Sequence, residues 1–219
     1  MIQDGYYQFG NGGLWCDRVN DFEYKIIAKE AEEIRNDFEK AIDSRSELIG
    51  HIDKAFKLKK SRDLIERVVL TKIEEYKEYH SSHQITFEMG FPIPLRKNLK
   101  LKLDGCWINF QKKYDFQPMH DHAGVYSFII FYDIPYDIEE EKAASPCVQG
   151  GDARVNGHLE FHYVDYKGRI CTMSIPADKN WHGRLIIFPA DLKHSVNPFY
   201  SSDEYRITIS GNLAFEYQE

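Results

Sequence analysis

Trp107-Ile-Asn-Phe-Gln-Lys-Lys-Tyr-Asp-Phe-Gln-Pro-Met-His120-Asp-His122-Ala-Gly-Val-Tyr-Ser-Phe-Ile-Ile-Phe-Tyr132 reads as strand, turn, strand. Its second half opens on a His-x-His pair and runs on into a long apolar stretch. Successive side chains of an extended chain point to opposite faces, so His120 and His122 share a face and Asp121 looks away. Two imidazoles side by side on one rigid strand make half of a transition-metal site. A lone histidine on a strand is more often a core or surface residue, but a pair two positions apart asks for a third ligand elsewhere.

The candidate lies downstream. Gly183-Arg-Leu-Ile-Ile-Phe-Pro189 is a short apolar strand ended by proline, followed by a turn and then His194. After a polar turn at Ser201–Glu204 comes Tyr205-Arg-Ile-Thr-Ile-Ser-Gly-Asn212. Here Arg206, Thr208 and Ser210 alternate with Ile207 and Ile209, so a cation and two hydroxyls share one strand face. An arginine set among hydroxyls suits a carboxylate, because the guanidinium fork grips both oxygens. The plainer reading is an edge strand with a solvated polar face, which leaves the three imidazoles unexplained.

Two histidines on one strand, a distal histidine, an arginine twelve positions beyond it and a hydroxyl residue two further on resemble the Fe(II)/2-oxoglutarate-dependent oxygenases. The likeness is strongest to phage-type members of that superfamily, through Trp107-x-Asn-Phe-Gln-Lys-Lys, Pro118-x-His-x-His-x-Gly-Val-x-Ser-Phe and Tyr205-Arg-Ile-x-Ile-Ser-Gly-Asn, and spans about residues 45–215. It implies a mainly β chain: a double-stranded β-helix (a jelly roll, cupin-like) from about residue 84 to 215, backed by N-terminal helices over about 20–82. It also implies Fe(II), O2 and 2-oxoglutarate as co-substrate, and hydroxylation of a second substrate with formation of succinate.

Carried over residue by residue, the resemblance assigns the metal to His120, His122 and His194, and the distal carboxylate of 2-oxoglutarate to Arg206 helped by Thr208 or Ser210. The superfamily usually has His-x-Asp or His-x-Glu where this chain has His120-x-His122. Asp121 reaches the ion only if the strand bulges. Asn109, Asn212 and Tyr126 are further candidates for the co-substrate site, Asn109 by its place on the preceding strand and Tyr126 by parity with His122. Imidazole must be neutral to bind a metal, so affinity is expected to fall below about pH 6.5. Two other readings stay open: a three-histidine cupin-type metalloprotein without 2-oxoglutarate, and a jelly roll that binds without catalysis. Against the cupin reading, position 126 is Tyr where cupins usually carry Glu.

The bulk numbers agree with one domain over residues 1–219, long enough for a sizeable core. A net charge of −7 argues against an intrinsic nucleic-acid binder. Four scattered cysteines show no Cys-x-x-Cys spacing, so neither a disulfide framework nor a zinc ribbon is indicated. No leader pattern and no membrane-length apolar run is seen, and the reading is a soluble protein of a reducing cytoplasm, the host's if the chain is phage-encoded.

Along the chain, residues 1–20 look irregular or like a short hairpin. Asn20 and Glu23 resemble a capping box, and Phe22, Ile26, Ile34, Phe38 and Ile42 recur at helical spacing, predicting a helix over about 21–42. Leu64, Ile65, Val68, Val69, Ile73 and Tyr76 predict a second over about 61–80. Strands are expected at Gln84–Met89 and Leu99–Asp104 before the Trp107 strand. Pro135–Gly157 is a connection long enough to form a wall of the site entrance. His158–Val164 and Arg169–Ile175 read as strands across a Lys167-Gly168 turn, with His158, Glu160 and His162 on a polar outer face. At strand spacing His158 and His162 stand about 13 Å apart, too far for one ion.

Overall fold

Two antiparallel sheets face each other in the computed structural model, which describes residues 3–10, 12–79, 100–144 and 155–216. The strands are β1 Gly5–Phe9, β2 Gly12–Arg18, β3 Lys54–Lys57, β4 Leu101–Gln111, β5 Gln117–His120, β6 Tyr126–Asp133, β7 Leu159–Val164, β8 Ile170–Ile175, β9 Arg184–Pro189, β10 His194–Val196 and β11 Arg206–Phe215. Among the described residues the larger sheet runs β1-β2-β9-β6-β11-β4-β3 and the smaller β5-β10-β7-β8. Helices α1 Asp21–Asn36 and α2 Arg62–Tyr79 back the larger sheet, and α3 Ile138–Ala143 begins the long connection. This is the jelly roll expected of the sequence.

Strand parity explains the layers. On β11, Ile207, Ile209 and Leu213 join the core under the helices, while Arg206, Thr208, Ser210 and Asn212 alternate with them and face the smaller sheet. On β4, Ile108 and Phe110 face the helices and Trp107, Asn109 and Gln111 face inward. β6 is apolar on both faces: Phe128 and Ile130 meet the helices, Ile129 and Phe131 the inner core. A central strand with a layer on each side has no solvent face to supply.

Helix α2 keeps its expected stripe, with Ile65, Val68, Val69, Ile73 and Tyr76 buried. Fully burying side chains of this size contributes about 1.5–3 kcal/mol each. The segment leading into it is anchored from α1: the buried Glu30 carboxylate accepts from the backbone N–H of Lys59, Lys60 and Ser61 and from the Ser61 hydroxyl.

Helix α1 departs from its expected form. Asn20 caps it through the Glu23 N–H at 2.9 Å, but it ends at Asn36, not near 42. A short 3-10 turn follows, and Phe38 stacks on Phe56 and meets Phe110 edge to face at the sheet edge. Its buried face is Ile27, Glu30, Ala31 and Ile34, so Phe22 and Ile26 are exposed.

The described end of the strand expected at Leu99–Asp104 and the Trp107 strand are one strand, β4, with a register shift opposite Asn212 and Leu213. Within the stretch expected to be irregular or a short hairpin, β1 and β2 pair antiparallel and join the larger sheet through β9. The polar outer face is half right: Glu160 and His162 are part-exposed, whereas His158 is buried. The Gln84–Met89 strand, the His80 end of the second helix and the Gln149-Gly-Gly segment lie outside the described residues.

Candidate metal centre

His120 closes β5 and pairs in register with His194, the first residue of β10. His122 sits two residues past the end of β5, where its backbone N–H donates to Ala190 O at 2.8 Å. The ring centroids lie 4.3 Å apart for His120 and His194, 5.0 Å for His120 and His122, and 5.1 Å for His122 and His194. One ligand nitrogen from each lies within 4.8 Å of the others. His120 Nδ1 sits 2.7 Å from Pro118 O and His194 Nδ1 2.9 Å from Leu192 O. Both Nδ1 atoms therefore carry the proton, and each Nε2 lone pair is left for a ligand role.

Burial, and then the neighbouring imidazoles, push the protonation of His122 down to about 4 and of His194 to about 3. Burial also lowers His120. All three are neutral at physiological pH, the state a metal needs. The acid window expected from a free imidazole, near 6.5, is thus moved down. Asp121 points outward as strand parity required and pairs with Lys193. The donor set fits a divalent transition ion held by three imidazoles on one side.

A cavity lined by these histidines adjoins a second lined by Gln111, Thr208 and Arg206, and the two share Gln117, Ile129, Val196 and Ser210. Arg206 is buried at the far end, its guanidinium stacked over Phe199 at 5.2 Å. It donates through Nε to Gln111 Oε1 at 3.1 Å, and through Nη1 to Tyr136 Oη (3.2 Å), Gly157 O (3.2 Å) and Asn197 O (3.1 Å). Between the two ends, the Asn109 amide lies 3.4 Å from both Thr208 Oγ1 and Ser210 Oγ.

Seven of the expected site residues are therefore brought together: His120, His122, His194, Arg206, Thr208, Ser210 and Asn109. Asn212 lines the cavity on the histidine side, where its Oδ1 accepts from Ser127 Oγ at 2.8 Å, and it does not reach Arg206's end. Tyr126 does not join the site. Its ring packs edge-on against Tyr76 of α2, in the helical layer. The turn at 123–125, with Gly124 at φ +117°, breaks the strand parity that linked Tyr126 to His122.

Sequence reasoning passed over Gln111, Tyr136, Asn197 and the Gly157 carbonyl. For Gln111 the signal was present, since it shares strand parity with Asn109. Tyr136 and Gly157 lie near the two ends of the long connection, and nothing local ties either to Arg206. The first part of that connection is held in place: the buried Glu141 carboxylate accepts from the backbone N–H of Tyr200 and Ser201.

Residues 105–212 match the family model described as "Putative 2OG-Fe(II) oxygenase". Solved structures of similar fold include a Pseudomonas putida prolyl-4-hydroxylase, at 11% identity and TM-score 0.53 over 94% of each chain. The non-heme alpha ketoglutarate dependent carbocyclase SnoK from nogalamycin biosynthesis shares 11% identity at TM-score 0.53, over 94% of this chain and 80% of its own. AviO1 from Streptomyces viridochromogenes shares 13% at TM-score 0.50, over 93% and 90%. At these identities the likeness is one of fold. Comparison with curated proteins finds no match.

Proposed function

Through residues 105–212 this chain belongs to the Fe(II)/2-oxoglutarate oxygenase family, and on that premise we propose that it hydroxylates a second substrate while 2-oxoglutarate is decarboxylated to succinate. The observation that carries the proposal is the pair of adjoining cavities, with three neutral imidazoles at one end and a buried arginine at the other. His120, His122 and His194 would hold the iron, and the Arg206 end would hold the distal carboxylate of 2-oxoglutarate. Bound there, Fe(II) would supply the oxygen activation that turns 2-oxoglutarate and O2 into succinate and CO2 and delivers one oxygen atom to the substrate.

The chain's own part is binding, orientation and exclusion of water. The carbonyls of Pro118 and Leu192 set the tautomers of His120 and His194, so the ligand nitrogens are aimed before the metal arrives. Four contacts lock the Arg206 guanidinium, which removes most of the rotamer freedom it would otherwise lose on binding. Ile129, Phe188 and Val196 supply apolar wall to the cavity beside the histidines.

We take residues 1–219 as one working unit, because α1 and α2 pack directly on the sheet that carries the site. We propose a reducing, cytoplasmic setting on the free thiols of Cys16, Cys106 and Cys171. No helix among the described residues is long and apolar enough to cross a membrane. The charge of −7 argues against nucleic acid as the partner.

Anaerobic addition of Fe(II) and then 2-oxoglutarate tests the reading. A visible charge-transfer band is expected on adding the oxo acid, and its loss in His194→Ala. Iron binding with no band would favour a three-histidine centre that does not use 2-oxoglutarate, and no iron binding would favour a jelly roll without catalysis.

A further inference from the structure

Arg206 does not offer the cavity a two-pronged fork. Its Nε is taken by Gln111 and its Nη1 by Tyr136, Gly157 and Asn197. Only Nη2 is left without a hydrogen-bond partner among the described residues, in a side chain 3% exposed. A carboxylate has two oxygens and needs a second donor.

Gln111 presents one. Arginine Nε can only donate, so the Gln111 amide atom facing it must be the oxygen, and the NH2 group is thereby fixed on the other side. That Nε2 is also buried with no partner among the described residues. Covalent geometry keeps the two unpaired donors close: Nη2 shares a carbon with Nε, and Gln111 Nε2 shares one with the oxygen that Nε holds. Both residues line the same cavity, with Thr208 and Ser210 between them and the histidines. Folded proteins leave few buried donors unpaired, because each such group costs about 1–3 kcal/mol. One planar group with two acceptor oxygens would satisfy both at once.

We propose that Gln111 is a second binding residue for the distal carboxylate, one oxygen resting on Arg206 Nη2 and the other on Gln111 Nε2. This rests on the cavity being the 2-oxoglutarate site. The arginine supplies the charge and the amide supplies the second, directional contact. The site therefore selects a carboxylate over a neutral or single-oxygen end group.

The test is calorimetric titration of the anaerobic, Fe(II)-loaded protein with 2-oxoglutarate and with 2-oxopentanoate, a 2-oxo acid of equal carbon-chain length that lacks the distal carboxylate. Wild type should bind 2-oxoglutarate at least about 10-fold tighter. Gln111→Met, close in volume but with no donor, should weaken 2-oxoglutarate about 10-fold and leave 2-oxopentanoate within about 2-fold. Gln111→Glu keeps an oxygen for Arg206 Nε but replaces the amide NH2 with an acceptor, and should lose at least as much. It also decides the matter if the Met variant misfolds. A wild type that prefers 2-oxoglutarate, with full preference retained in the variants, would overturn the assignment of Gln111 alone. Equal losses for both oxo acids would overturn it too, as an effect on the metal end or the fold. A wild type with no preference would bring down the reading of the cavity itself.

Discussion

At the residue scale, burial decides how the histidines behave. In the unfolded chain each imidazole takes up its proton near 6.5, whereas in the fold His122 and His194 do so only near 4 and 3. Between those values the unfolded chain binds protons that the fold refuses. By linkage, stability rises with pH across that window and is lost as pH falls from about 6.5 towards 4. Metal binding to the folded protein follows another rule, because the folded imidazoles stay neutral further into acid. Equilibrium dialysis at pH 7 and pH 5.5 should show metal affinity falling less than about 10-fold. Three ordinary imidazoles would give roughly a 500-fold loss over that range, and a loss of that size would show that burial does not hold them neutral.

At the scale of elements, buried carboxylates join pieces that hydrophobic contact alone would leave loose. Glu30 of α1 anchors the segment leading into α2, and Glu141 of α3 fastens the segment just before β11. Removing Glu30 would strand three backbone N–H groups in the segment just before α2. Glu30→Ala is therefore expected to destabilise the protein by about 3 kcal/mol or more, read as a lower urea midpoint at unchanged slope. A change below about 0.5 kcal/mol would mean that water satisfies those donors, and that Glu30 does not anchor this segment.

At the scale of the whole molecule, the site ties the two sheets together. His120 and His194 belong to the smaller sheet and Arg206 to the larger, with the cavity between them. An ion bound to the folded state alone adds stability by mass action, about 2.7 kcal/mol at 100 times its Kd. For a chain of this size that is a rise in Tm of roughly 5–10 °C, reversed by chelator and absent in His122→Ala. Equal rises in the variant and in wild type would place the ion elsewhere.

Much of this protein is legible one strand at a time. Side-chain alternation is a local property of extended backbone, so it was enough to put Arg206, Thr208 and Ser210 on one face and to turn Asp121 away from the histidines. Helical spacing was likewise enough for α2. Local pattern failed where the chain bends or where a distant group decides. The turn at Gly124 re-phases Tyr126 into the helical layer, and Phe38 leaves α1 for aromatic partners on β3 and β4. Which nitrogen of Arg206 stays open is set by Gln111, Tyr136, Gly157 and Asn197, on three other stretches of the chain. The proton affinities of the histidines follow the same rule, because desolvation belongs to the assembled cavity. The sequence by itself determined which groups the site contains. Only the tertiary structure decided which of their atoms remain free to bind, because hydrogen-bond saturation and burial are properties of what the folded chain brings alongside.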